Sequence, residues 1–184
     1  YTDSATLSYV TGTHNIKTGL QFGYGYYRRW HDGPADLVQV YQNGVPQFVD
    51  VANTPNDTFE KLNADLGVFV QDTWVIKRLT LNPGVRFEHF NASIEKQTQA
   101  AGRFLPLRTF GPVKDLPNWN TVAPRFGGAY DVFGNGKTAL HGGVSKYVIR
   151  MAPDFSIRYN PNSPDSDTRT WNDLNRDNIA QENE

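Results

Sequence analysis

The sequence contains no cysteine, carries almost no net charge and lacks long apolar runs. The absence of cysteine from all 184 residues excludes disulfides and thiolate metal sites. A formal net charge of −1 argues against nucleic acid as the main partner, because phosphate binding needs an excess of basic residues. No stretch approaches the roughly 18 apolar residues of a membrane-spanning helix. A spanning β-strand needs only about 9–11 residues with every second one apolar, so a membrane β-barrel remains open.

Residues 66–90 predict a β-hairpin around which the rest of the chain is organised. Two runs of alternating apolar and polar side chains flank the four residues Val75-Ile76-Lys77-Arg78. With those four residues as the loop, Trp74 pairs with Leu79, and almost all apolar side chains share one side of the ribbon. Asp72 is the charged exception on that side. The pattern predicts a sheet with one apolar and one polar face.

A second hairpin is predicted near the start of the sequence. Residues 5–10 and 16–26 alternate in the same way on either side of Gly12-Thr13-His14-Asn15. With those four residues as the turn, Leu7 lies opposite Leu20, and the apolar faces of the two strands coincide.

A third hairpin is predicted in the second half of the chain. Residues 124–132 and 138–148 alternate around Gly134-Asn135-Gly136, which places Tyr130 opposite Leu140. Each of the three hairpins therefore has one apolar face.

Long connections separate the hairpins. Residues 28–62 contain several prolines and an Asn43-Gly44 step that predicts a small hairpin of their own. Residues 91–121 form a second long connection, and the chain after Arg150 is read as loop. Short and long connections thus alternate, which puts the tight turns at one end of the sheet and the long loops at the other.

This asymmetry predicts an all-β fold: about six antiparallel strands of a larger transmembrane β-barrel, with long extracellular loops. Residues 1–149 are assigned to strands with tight periplasmic turns and long outer loops, and residues 150–184 to an extracellular region rich in Asp and Asn. The alternative is a secreted β-sandwich module for binding or adhesion, in which the same apolar faces pack on each other. We expect the sequence to be part of a longer protein, because Tyr1 opens without the pattern of a signal peptide.

Two motifs carry a resemblance to a known family. The strings LGVFVQDTW (residues 66–74) and RLTLNPGVRFE (residues 78–88) resemble a hairpin that recurs in TonB-dependent outer-membrane receptors. The string APRFGGAYD (residues 123–131), followed by Gly136-Lys137-Thr138, is similar to a second motif of the same proteins, with His141 where the family usually has Arg. The chain looks closest to the Oar-like branch.

The resemblance implies a barrel of about 22 strands in the bacterial outer membrane, closed around a plug. Such a receptor takes up a ligand with energy from an inner-membrane complex. The implied partners are outer-membrane lipid, the plug domain, a TonB-type energy-coupling protein and an unidentified transported ligand, with no nucleic acid. No ligand-binding residue is carried over from the family.

The spacing of oxygen ligands after residue 172 predicts a Ca²⁺ loop of twelve residues, although Asn178 stands where glycine is expected. Hard oxygen ligands at alternating positions can wrap one ion, and a final carboxylate can close its shell. The alternative is a solvated surface loop. The predicted ligands are Asp173, Asn175, Asp177, Ile179 (through its carbonyl), Gln181 and Glu184.

No catalytic residue is predicted, and we do not expect an enzyme. Ser93-Ile94-Glu95-Lys96 and Lys17-Thr18-Gly19 match two motifs of penicillin-recognising enzymes, but in reversed order and without the third motif. In a barrel, Trp30 and Trp74 would belong to the aromatic girdles at the two membrane boundaries.

Four charged residues would point into the lumen, where each is expected to form a structural charge pair, the alternative being contact with a plug or a solute. They are Lys17, Arg86, Glu88 and Arg125.

Overall fold

The computed structural model describes residues 1–33, 36–148, 154–163 and 166–181. Within these ranges the chain forms eleven strands and one short helix, and no helix there is long and apolar enough to cross a bilayer. The elements are β1 (Thr2–Thr11), β2 (His14–His31), β3 (Leu37–Gln42), β4 (Val45–Ala52), β5 (Asn56–Ile76), β6 (Leu79–Ile94), β7 (Gln97–Gln99), β8 (Arg108–Phe110), β9 (Asn118–Asp131), β10 (Ala139–Ser145), α1 (Asp154–Tyr159) and β11 (Ser166–Thr170).

One large antiparallel sheet dominates the fold. Its six strands follow the order β1-β2-β5-β6-β9-β10, so each strand pairs with the next long strand along the chain. The expected number of wall strands is therefore confirmed. The sheet is open, since β1 and β10 form its two edges, and every residue of both edge strands is exposed.

The register of the central hairpin differs from the prediction by two residues. Its loop is only Lys77-Arg78, Ile76 pairs with Leu79, and Trp74 pairs with Leu81 instead of Leu79. Lys77 has a φ of 55°, the left-handed backbone that two-residue hairpin turns require. A shift of two residues moves no side chain to the other face, so the predicted faces survive the wrong register.

Of the other predicted hairpins, the first also has a shifted register, whereas the third does not. The first one turns at Gly12-Thr13 alone, and Ala5 rather than Leu7 pairs with Leu20. The third hairpin has the predicted register, with Tyr130 opposite Leu140. The small hairpin across Asn43-Gly44 is also confirmed, as β3 and β4.

The apolar face of the large sheet is uncovered. Val68, Val85, Phe126 and Leu140, from four different strands, are 39%, 40%, 50% and 67% exposed. A β-sandwich would bury these side chains against a second sheet. The sandwich alternative is therefore wrong for this chain.

The long connections contain more structure than the sequence predicts. The chain after Arg150, read as loop, contains α1 and β11, and β11 joins β3 and β4 in a three-stranded sheet. Residues 91–121 contain the β7–β8 hairpin. Around Val49, Val51 and Trp171 these segments build a small hydrophobic core at the long-loop end of the sheet. Burial is thus concentrated at the long-loop end, in the connections and in the adjoining ends of β5 and β6, whereas most of the remaining large sheet is exposed or half-buried.

Asp131 shapes the tight turn between β9 and β10. Its carboxylate accepts backbone N–H bonds from Gly134 at 3.0 Å and from Gly136 at 2.9 Å. The Gly136 hydrogen bond is the main reason that the pKa of Asp131 lies below its ordinary value. Gly134 and Gly136 have φ values of 71° and 70°, which glycine adopts without strain.

We predict that Asp131→Ala lowers the melting temperature of the purified protein by a few degrees at pH 7. Because folding lowers the pKa of Asp131, its stabilising effect is present above the unfolded value of 3.8 and is lost as the pH falls through the folded value. The difference in melting temperature between variant and wild type should therefore shrink as the pH falls below 3.8. Asp3→Ala, at an exposed strand position, is the control. If Asp131→Ala lowered the melting temperature as much in acid as at pH 7, the stabilising role of the Asp131 carboxylate would be contradicted.

Candidate functional site

The apolar face carries aromatic side chains at two heights. Near the tight turns lie Tyr9, Trp74 and Tyr130, all at least 38% exposed. Further along the strands, the ring of Tyr24 lies 5.8 Å from that of Phe22. At roughly 3.3 Å per residue and a tilt of about 40°, ten residues of strand climb about 25 Å. The two groups are about that far apart, which is the height of the apolar band on membrane barrels.

Trp30 lies beyond this band. It pairs with Asp57, about 17 residues along β5 from Trp74, or roughly 40 Å in height. The expected girdle role of Trp74 agrees with its position, whereas Trp30 is too far from the tight turns for the second girdle. Next to Trp30, Arg28 forms a two-pronged ion pair with Asp57 at 2.8 and 2.6 Å. The Arg28 hydrogen bond holds the pKa of Asp57 below its ordinary value.

Asp72, the charged exception on the apolar face, is held at the tight-turn rim. Its Oδ2 lies 2.5 Å from His14 Nδ1, and its Oδ1 accepts the Asn15 backbone N–H at 3.1 Å. The His14 ring stacks on Trp74 with centroids 5.1 Å apart. The carboxylate is thus shielded by polar partners and an aromatic ring at the band's edge.

A family model described as an outer membrane beta barrel domain matches residues 1–183. The chain belongs to this family. No curated protein and no solved structure matches it with significance. The bacterial outer membrane is therefore the location of this β-barrel domain, as the sequence predicted.

Membership of the family orients the wall. Tight turns of such barrels lie on the periplasmic side and longer loops outside the cell, so the long connections here are extracellular. The apolar face of the outer-membrane barrel domain contacts lipid. Its polar face, from Lys17 on β2 to Arg125 on β9, faces the lumen.

The lumen face is lined by compensated charge and by rings that lie over glycine. Arg86 and Glu88 form an ion pair at 2.7 Å, both side chains only 18% exposed. The Phe69 ring lies over Gly19, where an added Cβ would be 2.4 Å from it. Arg125 is 5.0 Å from the centre of the Tyr147 ring. These contacts agree with a structural role for Arg86 and Glu88 and leave a concave groove of about 550 Å³ along the wall.

A buried polar cluster ties the extracellular segments to the lumen side of the wall. Glu60 on β5 is 1% exposed and accepts a 2.6 Å hydrogen bond from Asn160 Nδ2. Gln97 donates to Asn160 at 3.1 Å, and Asn56 donates to the Asn162 carbonyl at 3.0 Å. We call these five residues the amide latch.

The amide latch holds the segment after α1 against the inward side of β5 at its extracellular end. Its members were missed by sequence reasoning, because Asn and Gln carry no periodic signal and their burial depends on distant segments. The alternating Gln97-Thr98-Gln99 and Asn160-Pro161-Asn162 patterns are the features that a search for paired amides would have found.

The predicted Ca²⁺ loop is only partly described, since Glu184 lies outside the described residues. Asp173 accepts backbone N–H bonds from Asp177 at 3.1 Å and Asn178 at 3.0 Å. Asp177 accepts from Gln181 Nε2 at 2.7 Å and from Asn175 Nδ2 at 3.0 Å. The structure therefore brings four of the predicted side chains together. In the described ranges, no group of three or more His, Asp or Glu side chains is placed to hold a metal ion.

Asn178, the sixth residue of the predicted Ca²⁺ loop, adopts the left-handed backbone conformation expected at that position. Its φ is 58°, in the left-handed region where glycine is usual and asparagine is tolerated. Its carbonyl accepts a 2.7 Å hydrogen bond from Tyr41, which fastens the loop to the β3–β4 hairpin.

We predict that Val68→Arg, in the middle of the lipid face, destabilises the folded barrel by about 2–4 kcal/mol, because a charge is then placed in hydrocarbon. Gln71→Arg, on the lumen face of the same strand, is the matched control and should cost much less. Urea unfolding in lipid vesicles measures both. Equal losses for the two variants would contradict the orientation of the faces.

Proposed function

We propose that the chain forms part of the barrel of a TonB-dependent receptor of the Oar-like branch, which takes up a ligand across the outer membrane. The observation that carries the proposal is the amide latch, which holds an extracellular segment over the lumen side of the wall. An extracellular segment fixed on the lumen side of the wall suits a receptor that selects its ligand better than it suits an open diffusion pore. The two family-like motifs support the same reading.

The motifs also have a structural place in this proposal. The QDTW segment of the first motif provides both Asp72 and Trp74 of the periplasmic rim. The second motif ends at Asp131, which shapes the next periplasmic turn. Both motifs thus contribute to the rim that faces the energy-coupling side of the membrane.

The proposal assigns no catalytic role to the chain. Ser93, in one of the enzyme-like motifs, is 8% exposed and accepts a 3.0 Å hydrogen bond from Asn63 Nδ2. Its hydroxyl also donates to Asn63 Oδ1 at 3.3 Å. A side-chain amide is not a base that activates a nucleophile.

We predict that deleting the gene for this protein and deleting the TonB-type coupling protein affect the same uptake step. Growth should be compared over a panel of scarce nutrients in the two single deletions and in the double deletion. On the nutrient that the receptor imports, the double deletion should grow no worse than the coupling deletion, because uptake needs both proteins.

The control for this prediction is a strain that lacks an energy-independent porin, whose defect should add to that of the coupling deletion. Nutrient uptake that depends on this protein and continues without the coupling protein would overturn the proposal of energy-coupled transport. It would leave the outer-membrane location intact.

We further propose that the loop from Asp173 to Glu184 binds Ca²⁺, with the ligands predicted from the sequence. The expected result is a rise in melting temperature at millimolar Ca²⁺, because an ion that binds only the folded loop stabilises it. Asp173→Asn and Asp177→Asn should abolish the rise, and Asp3→Asn, on the exposed strand β1, should retain it. No rise in the wild type would reject the site.

A further inference from the structure

A small cavity lies among the extracellular segments, away from the groove along the lumen wall. It measures about 130 Å³, which is room for about four water molecules. It lies between the ends of β4 and β11 and the chain that enters β8. The polar residues that line it are Asn53, Asn56, Arg108, Ser166, Asp167 and Arg169.

Arg108 has no polar partner in this cavity. Its Nε atom is buried and makes no hydrogen bond. Among the described residues, no carboxylate forms an ion pair with it, and its Cζ lies 5.6 Å from the centre of the Phe110 ring. A half-buried guanidinium that lacks a counter-charge is unfavourable, because lost hydration is not replaced. Arg108 is therefore a positively charged side chain without a counter-charge, which an anion in the cavity would supply.

The charge of the lining is positive. Arg169 and Asp167 pair at 3.1 Å and compensate each other, so the charge of Arg108 is left over. This contrasts with the net charge of −1 of the whole sequence. Arg169 and Ser166 lie on β11, an edge strand whose five residues are all exposed, so the cavity is open to molecules outside the cell.

The lining also has fixed walls. Gln99, which pairs with Arg108 across the β7–β8 hairpin, donates to the Asn53 carbonyl at 2.7 Å and to the Pro55 carbonyl at 3.0 Å. Asn53, 4% exposed, donates to the Ala100 carbonyl at 2.9 Å. These bonds hold β7 against the segment that follows β4, and β7 in turn pairs with β8, the strand of Arg108. The guanidinium is thus presented on a supported frame.

We propose that this cavity binds an oxyanion, a carboxylate or phosphate group of a small ligand, through Arg108. The planar guanidinium matches both groups, with two parallel N–H donors for two oxygens. The Ser166 hydroxyl lies in the same wall as a further donor. The proposal goes beyond ligand uptake, since the site would bind its anion whether or not the barrel transports it.

Calorimetric titration of the detergent-purified protein with inorganic phosphate and, separately, with succinate tests the site. We expect saturable binding of at least one of them. Arg108→Gln should weaken that binding about tenfold or more, because a charge-assisted pair is lost. Arg103→Gln removes a charge from the same connection outside the cavity and should bind as the wild type does. The stronger of the two probes identifies the group as phosphate or carboxylate.

A second variant tests the site even if Arg108→Gln fails to fold. Ser166→Asp puts a negative charge on the exposed strand at the cavity and should also weaken binding, with the melting temperature almost unchanged. Without anion, Arg108→Gln should melt no lower than the wild type, because it removes an uncompensated charge. Saturating anion should raise the melting temperature of the wild type and not that of Arg108→Gln. Absence of binding to both probes, or equal binding by wild type and Ser166→Asp, would overturn the proposal.

Discussion

The fold depends on one constraint: in hydrocarbon, every backbone N–H and C=O must find its partner within the protein. The six long strands meet this demand by pairing each with the next in an antiparallel ladder. Once the ladder is formed, successive side chains along each strand point alternately to lipid and to the lumen. In the membrane, the outer edges of β1 and β10 require pairing with further strands, because lipid offers them no hydrogen bonds.

The same constraint accounts for the surroundings of Asp72, a charged residue on the lipid face. Asp72 lies where the apolar band ends, and His14 and the Asn15 backbone supply its hydrogen bonds. Arg28 and Asp57 also point outward, but they lie above the band and compensate each other. Between these two levels the outward side chains are mostly aliphatic or aromatic. The lumen face tolerates Arg86 and Glu88 because water and polar neighbours are available there.

Stabilisation changes character at the extracellular end. The strands below need lipid around them, whereas the segments above bury their own residues, apolar around Trp171 and polar around Glu60. A buried amide cluster is costly unless its groups pair, so it favours one arrangement of the segments. That arrangement places the segment after α1 on the inward side of β5 and lies beside the cavity at Arg108. The proposed ligand selection and the proposed oxyanion site would therefore depend on two neighbouring sets of buried hydrogen bonds.

The alternation of side chains determined which face of each wall strand is apolar, since a period of two depends only on neighbours along the chain. Alternation alone did not determine the register, and the predicted pairing of two hairpins was wrong by two residues. Registers that differ by two residues have the same apolar and polar faces, so only the length of the turn distinguishes them. The third hairpin was predicted correctly from its Gly134-Asn135-Gly136 turn. The amide latch and the Arg108 cavity came only from the tertiary structure. Gln97 and Asn160 meet across 63 residues of chain, so their contact depends on how distant segments pack.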